Sequence, residues 1–117
     1  MQKNFAGVAD HDLEQLTAMF RLLADKTRLN ILLILTAGER NVSSLCEELK
    51  LPQPTVSHHL GLLRLGNAIE NRRAGKRVFY GLNGRFDAGR LSLVMAVQSY
   101  HVRIDRKTEK ASASTAQ

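Results

Sequence analysis

The fold is decided by the stretch Gln53-Pro54-Thr55-Val56-Ser57-His58-His59-Leu60-Gly61-Leu62-Leu63-Arg64-Leu65. Its apolar residues Val56, Leu60 and Leu63 recur at steps of three and four, which is the spacing of one buried face of an α-helix. Pro54 fits the first turn of such a helix, because the N–H that proline lacks has no partner there. The stretch therefore predicts a helix from about Gln53 to Leu65, ended by the following Gly66-Asn67, where Asn suits a left-handed cap.

A shorter helix and a tight turn precede this stretch. Asn41 is a residue type that caps helices, and the apolar residues after it share one face: Val42, Leu45, Cys46 and Leu49. The connection Lys50-Leu51-Pro52 is long enough only for a tight turn. Two helices joined in this way form a helix-turn-helix, whose second helix enters the DNA major groove by its N-terminal end.

A basic hairpin is predicted directly after the two helices. The β-prone runs 69–72 and 77–80 flank a turn that contains Gly75. Arg72-Arg73-Ala74-Gly75-Lys76-Arg77 carries four cations in six residues with no acid among them. This pattern adds a wing to the helix-turn-helix. A basic hairpin alone is usually a solvated turn, and its position after the two helices is what favours DNA.

The exposed side chains of both segments suit DNA. Gln pairs bidentately with adenine, Ser and Thr serve bases or phosphates, and wing cations attract the phosphate backbone. The residues expected to contact DNA are Gln53, Thr55, Ser57, His58, Arg64, Arg72, Arg73, Lys76 and Arg77. His59 lies on the apolar side, where a buried, hydrogen-bonded histidine is a better interpretation than a ligand.

Three more helices are expected outside this centre. Asp10 or Asp12 caps the first helix, Asp25 opens an apolar second helix that stops at Gly38, and a last helix spans about 87–104. The predicted class is mainly α with a small β-hairpin, a winged helix-turn-helix of about five helices plus the wing. Residues 10–105 form the DNA-binding and dimerisation domain, between a flexible segment 1–9 and a disordered tail 106–117.

Composition narrows the function classes. The chain has 117 residues, a formal net charge of +6 and one cysteine, which is typical of one cytoplasmic domain without an internal disulfide. No apolar run approaches the ~20 residues of a membrane span. An enzyme is not expected, since Ser57 and His58 are adjacent helical positions that do not face one another.

Three separated segments resemble the ArsR/SmtB-type family of bacterial repressors. They are Leu22-Leu23-Ala24-Asp25-Lys26-Thr27-Arg28-Leu29-Asn30-Ile31-Leu32, the helix segment 53–64 and the wing segment 73–80. The resemblance implies a homodimer held by the first and last helices. It also implies an imperfect inverted-repeat operator that is released when an inducer binds. The expected interface residues are Leu13, Leu16, Phe20, Leu91, Val94, Val97 and His101.

The signal that such a repressor senses is less defined. Metal-sensing members place Cys-Val-Cys at the start of the third helix, where this chain has Asn41-Val42-Ser43. A lone thiolate does not build a tight soft-metal site, so we expect neither cofactor nor metal, and Cys46 as a structural residue. An organic inducer, modification of the single thiol, and the absence of any signal all stay open.

Two alternatives remain beside the lead interpretation. His11, with Asp10 and Asp12, could meet His101 across a dimer and form a metal site between the first and last helices. The winged helix could also be a protein-interaction module, although such a module does not need so basic a wing.

Overall fold

The computed structural model describes residues 7–89 and 92–107, and its fold is a winged helix-turn-helix. Four helices come first along the chain, interrupted by one short strand: α1 (Asp10–Leu23), α2 (Lys26–Leu35), β1 (Arg40–Asn41), α3 (Val42–Leu49) and α4 (Gln53–Leu65). Five strands follow: β2 (Ile69–Ala74), β3 (Arg77–Leu82), β4 (Phe86–Ala88), β5 (Ser92–Val97) and β6 (Tyr100–Asp105). Together with β1, they form two three-stranded antiparallel sheets, β1-β3-β2 and β4-β5-β6.

Side-chain caps start α2 and α3 where the sequence predicts. An Asp25 carboxylate oxygen accepts the Arg28 amide N–H at 2.9 Å, and the Asn41 side-chain oxygen accepts that of Ser44 at 2.8 Å. Each bond pairs an amide that has no partner inside its helix. The cap of α1 differs, because Ala9 occupies that position and makes no side-chain bond. The prediction that Asp10 or Asp12 caps α1 is therefore wrong; both belong to its first turn.

The turns of the helix-turn-helix also match the prediction. Lys50 caps the C-terminus of α3 with a left-handed φ of 58°, and three residues separate α3 from α4. After α4, Asn67 takes a φ of 60°. Asn tolerates this conformation better than most residues, and it turns the chain from α4 toward the wing.

Arg28 connects three helices. Its Nε donates to the Leu22 carbonyl at 2.6 Å, and its Nη1 lies 3.4 Å from His59 Nδ1. The same histidine nitrogen is 3.8 Å from the Asp25 carboxylate. Arg28 therefore contacts the end of α1 and the middle of α4 from the start of α2. These contacts give the arginine of the segment 22–32 a structural role.

One apolar core joins the helices to both sheets. α2 is central, as predicted, with Ile31, Leu32 and Leu35 buried. The largest fully buried side chains are Ile31, Leu32, Leu45, Val56, Leu60, Leu63, Ile69, Leu93 and Met95. They come from α2, α3, α4, β2 and β5, so the segment after the wing is part of the same core.

The wing is the predicted hairpin with one added strand. β2 and β3 pair from Ile69↔Leu82 to Ala74↔Arg77. The loop Gly75-Lys76 closes the hairpin, and Gly75 has a φ of 65°, which L side chains rarely adopt. β1 pairs with β3 beside the hairpin. Its two residues carry no strand pattern of their own, and the sequence did not predict it.

The predicted last helix, about 87–104, is wrong. This part of the chain forms β4, β5 and β6. Leu93, Met95 and Val97 are buried and alternate with partly exposed neighbours, which is the two-residue period of a strand. A helical stripe through this segment contains Val94 and Val97 but not the buried Leu93 and Met95. The β5–β6 turn is also inconspicuous in sequence, since the residue with positive φ is Gln98 rather than Gly or Asn.

Several predictions fall on residues that the structure does not describe. Leu91 lies between the two described ranges, and most of the segments 1–9 and 106–117 lies outside them. Within the described ranges, no helix is both long enough and apolar enough to cross a bilayer.

Candidate nucleic-acid interface

The N-terminal half of α4 presents the predicted polar face. Gln53, Ser57 and His58 are exposed, and Thr55 is half-buried. Arg64 is exposed at the other end of the helix. The opposite face anchors the helix through Val56, Leu60 and Leu63, whose exposed fractions are at most 2%. Burial of that face holds α4 rigidly while its polar side chains remain available to a groove.

Two histidines in α4 have different surroundings. His58 is exposed, on the same side as Ser57, and its ring packs edge-on against His59 with centroids 5.4 Å apart. His59 is half-buried beside Arg28 and Asp25. The interpretation of His59 as a hydrogen-bonded structural histidine agrees with this geometry. The hydrogen bond from the Arg28 amide, and then the positive charge of Arg28, lower the pKa of Asp25, so this carboxylate stays charged.

The wing cations fall into two groups. Arg73, Lys76 and Arg77 are exposed, and within residues 7–89 and 92–107 none of them forms an ion pair with a carboxylate. Arg72 instead pairs with Glu39, with its Nη2 2.7 Å from Oε1. Three of the four predicted wing cations are therefore available to an anion in this conformation.

Arg72 and Arg73 also differ in their position on the hairpin. In the pleat of β2, Arg72 and Arg73 point to opposite faces. Arg72 is opposite Phe79 and Arg73 is opposite Val78. Farther along the Arg73 face, toward the base of the hairpin, Ile69, Tyr80 and Leu82 pack into the core. Arg72 therefore lies on the outer face of the wing.

The expected dimer residues occupy several environments. Leu13 and Phe20, on α1, are 36% and 51% exposed, whereas Leu16 packs against the core. Val94 and His101 lie on the outer face of the β4-β5-β6 sheet. Val97 is only 3% exposed and belongs to the core. The structure thus retains an apolar stripe on α1 but replaces the expected last helix with a sheet.

The alternative histidine site was predicted on a last helix that the structure replaces with strands. His101 is on strand β6, not on a helix packed beside α1. No three His, Cys, Asp or Glu side chains in the described part of the chain are grouped so as to hold a metal ion. Cys46 is free and half-buried, and it packs against the core.

Sequence reasoning missed Glu39 as a residue of this region. It lies in the loop between α2 and β1, and no periodicity or motif marks it. Glu39 becomes relevant because β1 pairs with β3, which brings it to Arg72 on the outer face of the wing. The two residues are 33 positions apart in the chain.

A helix-turn-helix with an exposed polar helix and an adjacent cationic hairpin defines a winged-helix DNA-binding protein. Residues 25–65 match the model of the bacterial regulatory protein arsR family. The chain is 32% identical to the transcriptional repressor SdpR of Bacillus subtilis over 65 residues. This aligned stretch covers 56% of the chain and 72% of SdpR. The chain belongs to the ArsR family, which is a family of DNA-binding transcriptional regulators and not of enzymes.

Other relatives extend this comparison. The regulator KmtR of Mycobacterium tuberculosis is 42% identical over 64 residues, which is 55% of this chain but only 49% of KmtR. A solved structure of Mb0332 (fragment 1–100) from Mycobacterium bovis, described as a homodimeric winged helix-turn-helix DNA-binding domain, has a TM-score of 0.59 and 34% identity. That similarity covers 68% of this chain and 77% of Mb0332.

Proposed function

We propose that this protein is a repressor that binds an inverted-repeat operator as a homodimer. The observation that carries the proposal is that the chain presents two exposed surfaces. One is the N-terminal half of α4, and the other is the wing tip, whose three cations form no ion pair among the described residues. The first surface offers hydrogen-bonding groups without charge, which suits base edges. The second offers charge without a defined hydrogen-bonding pattern, which suits phosphates.

The two surfaces have separable roles. Gln53 and Ser57 read base edges, with Thr55 and His58 beside them and Arg64 at the far end of the helix. Arg73, Lys76 and Arg77 bind the flanking backbone. Loss of a base contact lowers discrimination between sequences, whereas loss of a phosphate contact lowers affinity for every duplex and reduces its dependence on salt.

The dimer face is centred on α1. Leu13 and Phe20 are seven residues apart, two helical turns, so they lie on one stripe, and both are unusually exposed for large apolar side chains. Burial against the same stripe of a second copy removes this surface from water and produces a two-fold axis. Two recognition helices then face successive major grooves about 34–36 Å apart. Val94 and His101 are candidate peripheral contacts of the same interface.

The inducer differs from the soft metals held by the paired cysteines of metal-sensing members. The chain has one cysteine, so it cannot supply that pair. Cys46 contributes to packing, and no metal or cofactor is part of the proposal. An organic inducer, a modification at the single thiol, or no inducer at all is compatible with this arrangement.

Titration of the protein against duplexes from its own promoter, measured by fluorescence anisotropy at several salt concentrations, tests the proposal. We expect tight binding to an inverted repeat. Gln53→Ala with Ser57→Ala should lose ~1–3 kcal/mol of discrimination per base contact. Arg73→Gln with Lys76→Gln should weaken all duplexes alike and reduce the salt slope by about two.

A matched control is Lys50→Gln, which removes an exposed cation outside the wing and α4. Its salt slope should stay near that of the unmodified protein. Absence of operator binding, or an unchanged slope in the wing variant, would contradict the proposal. A folded protein that binds no duplex would favour the protein-interaction module instead.

A further inference from the structure

Arg72 is held in a defined position on the outer face of the wing. Its Nε donates to both carboxylate oxygens of Glu39 at 3.0 Å, and its Nη2 donates to Oε1 at 2.7 Å. Its guanidinium also lies over the ring of Phe79, its cross-strand neighbour, 5.1 Å from the ring centroid. The guanidinium therefore already has a carboxylate and an aromatic ring as partners before any phosphate approaches.

The partner carboxylate is itself placed by the fold. Glu39 precedes β1, and β1 pairs with β3 so that Asn41 is opposite Phe79. Gly81, two residues farther along β3, leaves the space that Glu39 occupies, because a Cβ there would lie 3.2 Å from Glu39 Cγ. A side chain at position 81 would thus press on Glu39.

Arg40 extends the connection to α3. Its Nη1 donates to the carbonyls of Gly38 and Glu39, at 3.0 and 3.1 Å, and its Nε bonds Glu48 at 2.7 Å. The loop carrying Glu39 is therefore bonded to the first helix of the helix-turn-helix. A continuous series of ion pairs and hydrogen bonds leads from Glu48 through Arg40 and Glu39 to Arg72.

The pair is exposed, with side-chain fractions of 57% for Arg72 and 43% for Glu39. Exposed ion pairs add little to folding stability, so its main effect is on orientation. The hydrogen bond from Arg72 lowers the pKa of Glu39, and the carboxylate stays ionised at neutral pH. A planar, bidentate pair also restrains direction, which a lysine ammonium does not.

We propose that Arg72 is a positioning residue of the wing and that Glu39 is its anchor, so that this pair sets the angle of the wing relative to α3 and α4. Arg72 then supports DNA binding through the wing, while Arg73, on the opposite face, supplies a phosphate contact. The inference rests on the proposed DNA-binding function and assigns different roles to two neighbouring arginines.

Four variants measured on operator duplex over a range of salt concentrations separate the roles. Arg73→Gln is the matched comparison and should lower both affinity and the salt slope, the slope by about one. Arg72→Lys keeps the charge but loses the bidentate bond, and it should weaken operator binding about fivefold with an unchanged slope. Glu39→Gln removes a negative charge yet should weaken binding similarly. Glu39→Asp, which keeps the charge, should recover part of the loss.

The opposite pattern would overturn the inference. If Arg72 binds phosphate directly, Arg72→Lys keeps nearly full affinity, and Glu39→Gln tightens binding because it frees the guanidinium and removes repulsion. Circular dichroism and urea unfolding should show all four variants folded, so that a loss of affinity is not a loss of structure. Failure of the unmodified protein to bind any operator would contradict the proposed function itself, which is a distinguishable result.

Discussion

Residues 25–82 and residues 86–105 are both rich in apolar side chains, yet sequence reasoning predicts most of the first region and fails in the second. Between 25 and 82, the helices and the hairpin each have a boundary signal, whereas β1 has none: Asp25 and Asn41 lie at helix starts, Pro54 in a first turn and Gly75 in a hairpin loop. Between 86 and 105, the β5–β6 hairpin turns at Gln98-Ser99, which carries no such signal.

The difference teaches that apolar spacing alone does not separate helix from strand. Val94, Val97, His101 and Ile104 fit a helical stripe, but Leu93, Met95 and Val97 fit a strand equally well. Boundary residues break this tie, because they satisfy or forbid specific backbone hydrogen bonds. Where they are missing, only packing against the remainder of the protein decides.

The largest expected effect concerns the proposed dimer, whose face is centred on α1 and not on the helix-turn-helix. Leu13→Glu with Phe20→Glu places charges on the proposed dimer stripe, and burying them unpaired is costly. We expect a monomer by sedimentation and a loss of operator affinity of about a hundredfold or more, because a monomer contacts one half-site only.

Leu33→Glu is the matched control for that variant. Leu33 is an equally exposed apolar residue, at 43%, but it lies on α2 rather than α1. It should leave the dimer and the operator affinity intact. If the double variant sediments as a monomer and still binds the full operator normally, the proposal that operator binding needs a dimer built on α1 is wrong.

Substitutions at two adjacent positions of β5 test directly whether this segment is a strand or a helix. Leu93 is 1% exposed and Val94 is partly exposed in β5. Leu93→Ala should cost ~2–5 kcal/mol of unfolding free energy, as large-to-small changes in cores do. Val94→Ala should cost about 1 kcal/mol or less. Urea unfolding followed by circular dichroism measures both, and the reverse order would restore the helical interpretation.

A smaller effect tests the boundary signal at the start of α2. Asp25→Ala removes the cap on the Arg28 amide and should cost ~0.5–2 kcal/mol at neutral pH. Asp25→Asn keeps a capping oxygen and removes the charge, so it isolates the electrostatic part. Comparison of both variants with the unmodified protein in urea supplies the measurement.

The pH dependence of the Asp25 contribution has a definite sign. The pKa of Asp25 is lowered in the folded protein below its ordinary value of 3.8. Its charge-dependent stabilisation is therefore complete above that value and is lost as pH falls through the lowered one. The stability difference between the unmodified protein and Asp25→Asn should shrink on acidification below about pH 4. A difference that grows there would contradict the assignment.

The smallest expected effect is at Cys46. Cys46→Ala removes a half-buried thiol at the edge of the core, and it should cost about 1 kcal/mol or less. Operator release by arsenite, zinc, cadmium or peroxide should be the same in the variant and the unmodified protein. If the variant keeps its fold and DNA affinity but loses a response that the unmodified protein shows, Cys46 is the sensor.

Much of the interface was predictable from sequence because its parts are local. Gln53, Ser57 and His58 follow from the spacing of a single helix, and Arg73, Lys76 and Arg77 follow from a single hairpin. The Glu39–Arg72 pair was not predictable, since it joins residues 33 positions apart through the pairing of β1 with β3. A run of like charges shows where cations are, not which one already has a partner.

By itself the sequence determined the helix-turn-helix, the wing and the family, because caps, turn residues and periodicity act over a few neighbouring positions. Tertiary structure alone decided the conformation of residues 86–105, the burial of Val97 and the pairing of Arg72. These depend on burial against α1 and on strand pairing across long separations. The free energy of such contacts comes from residues that are distant in the chain, so no local pattern carries it.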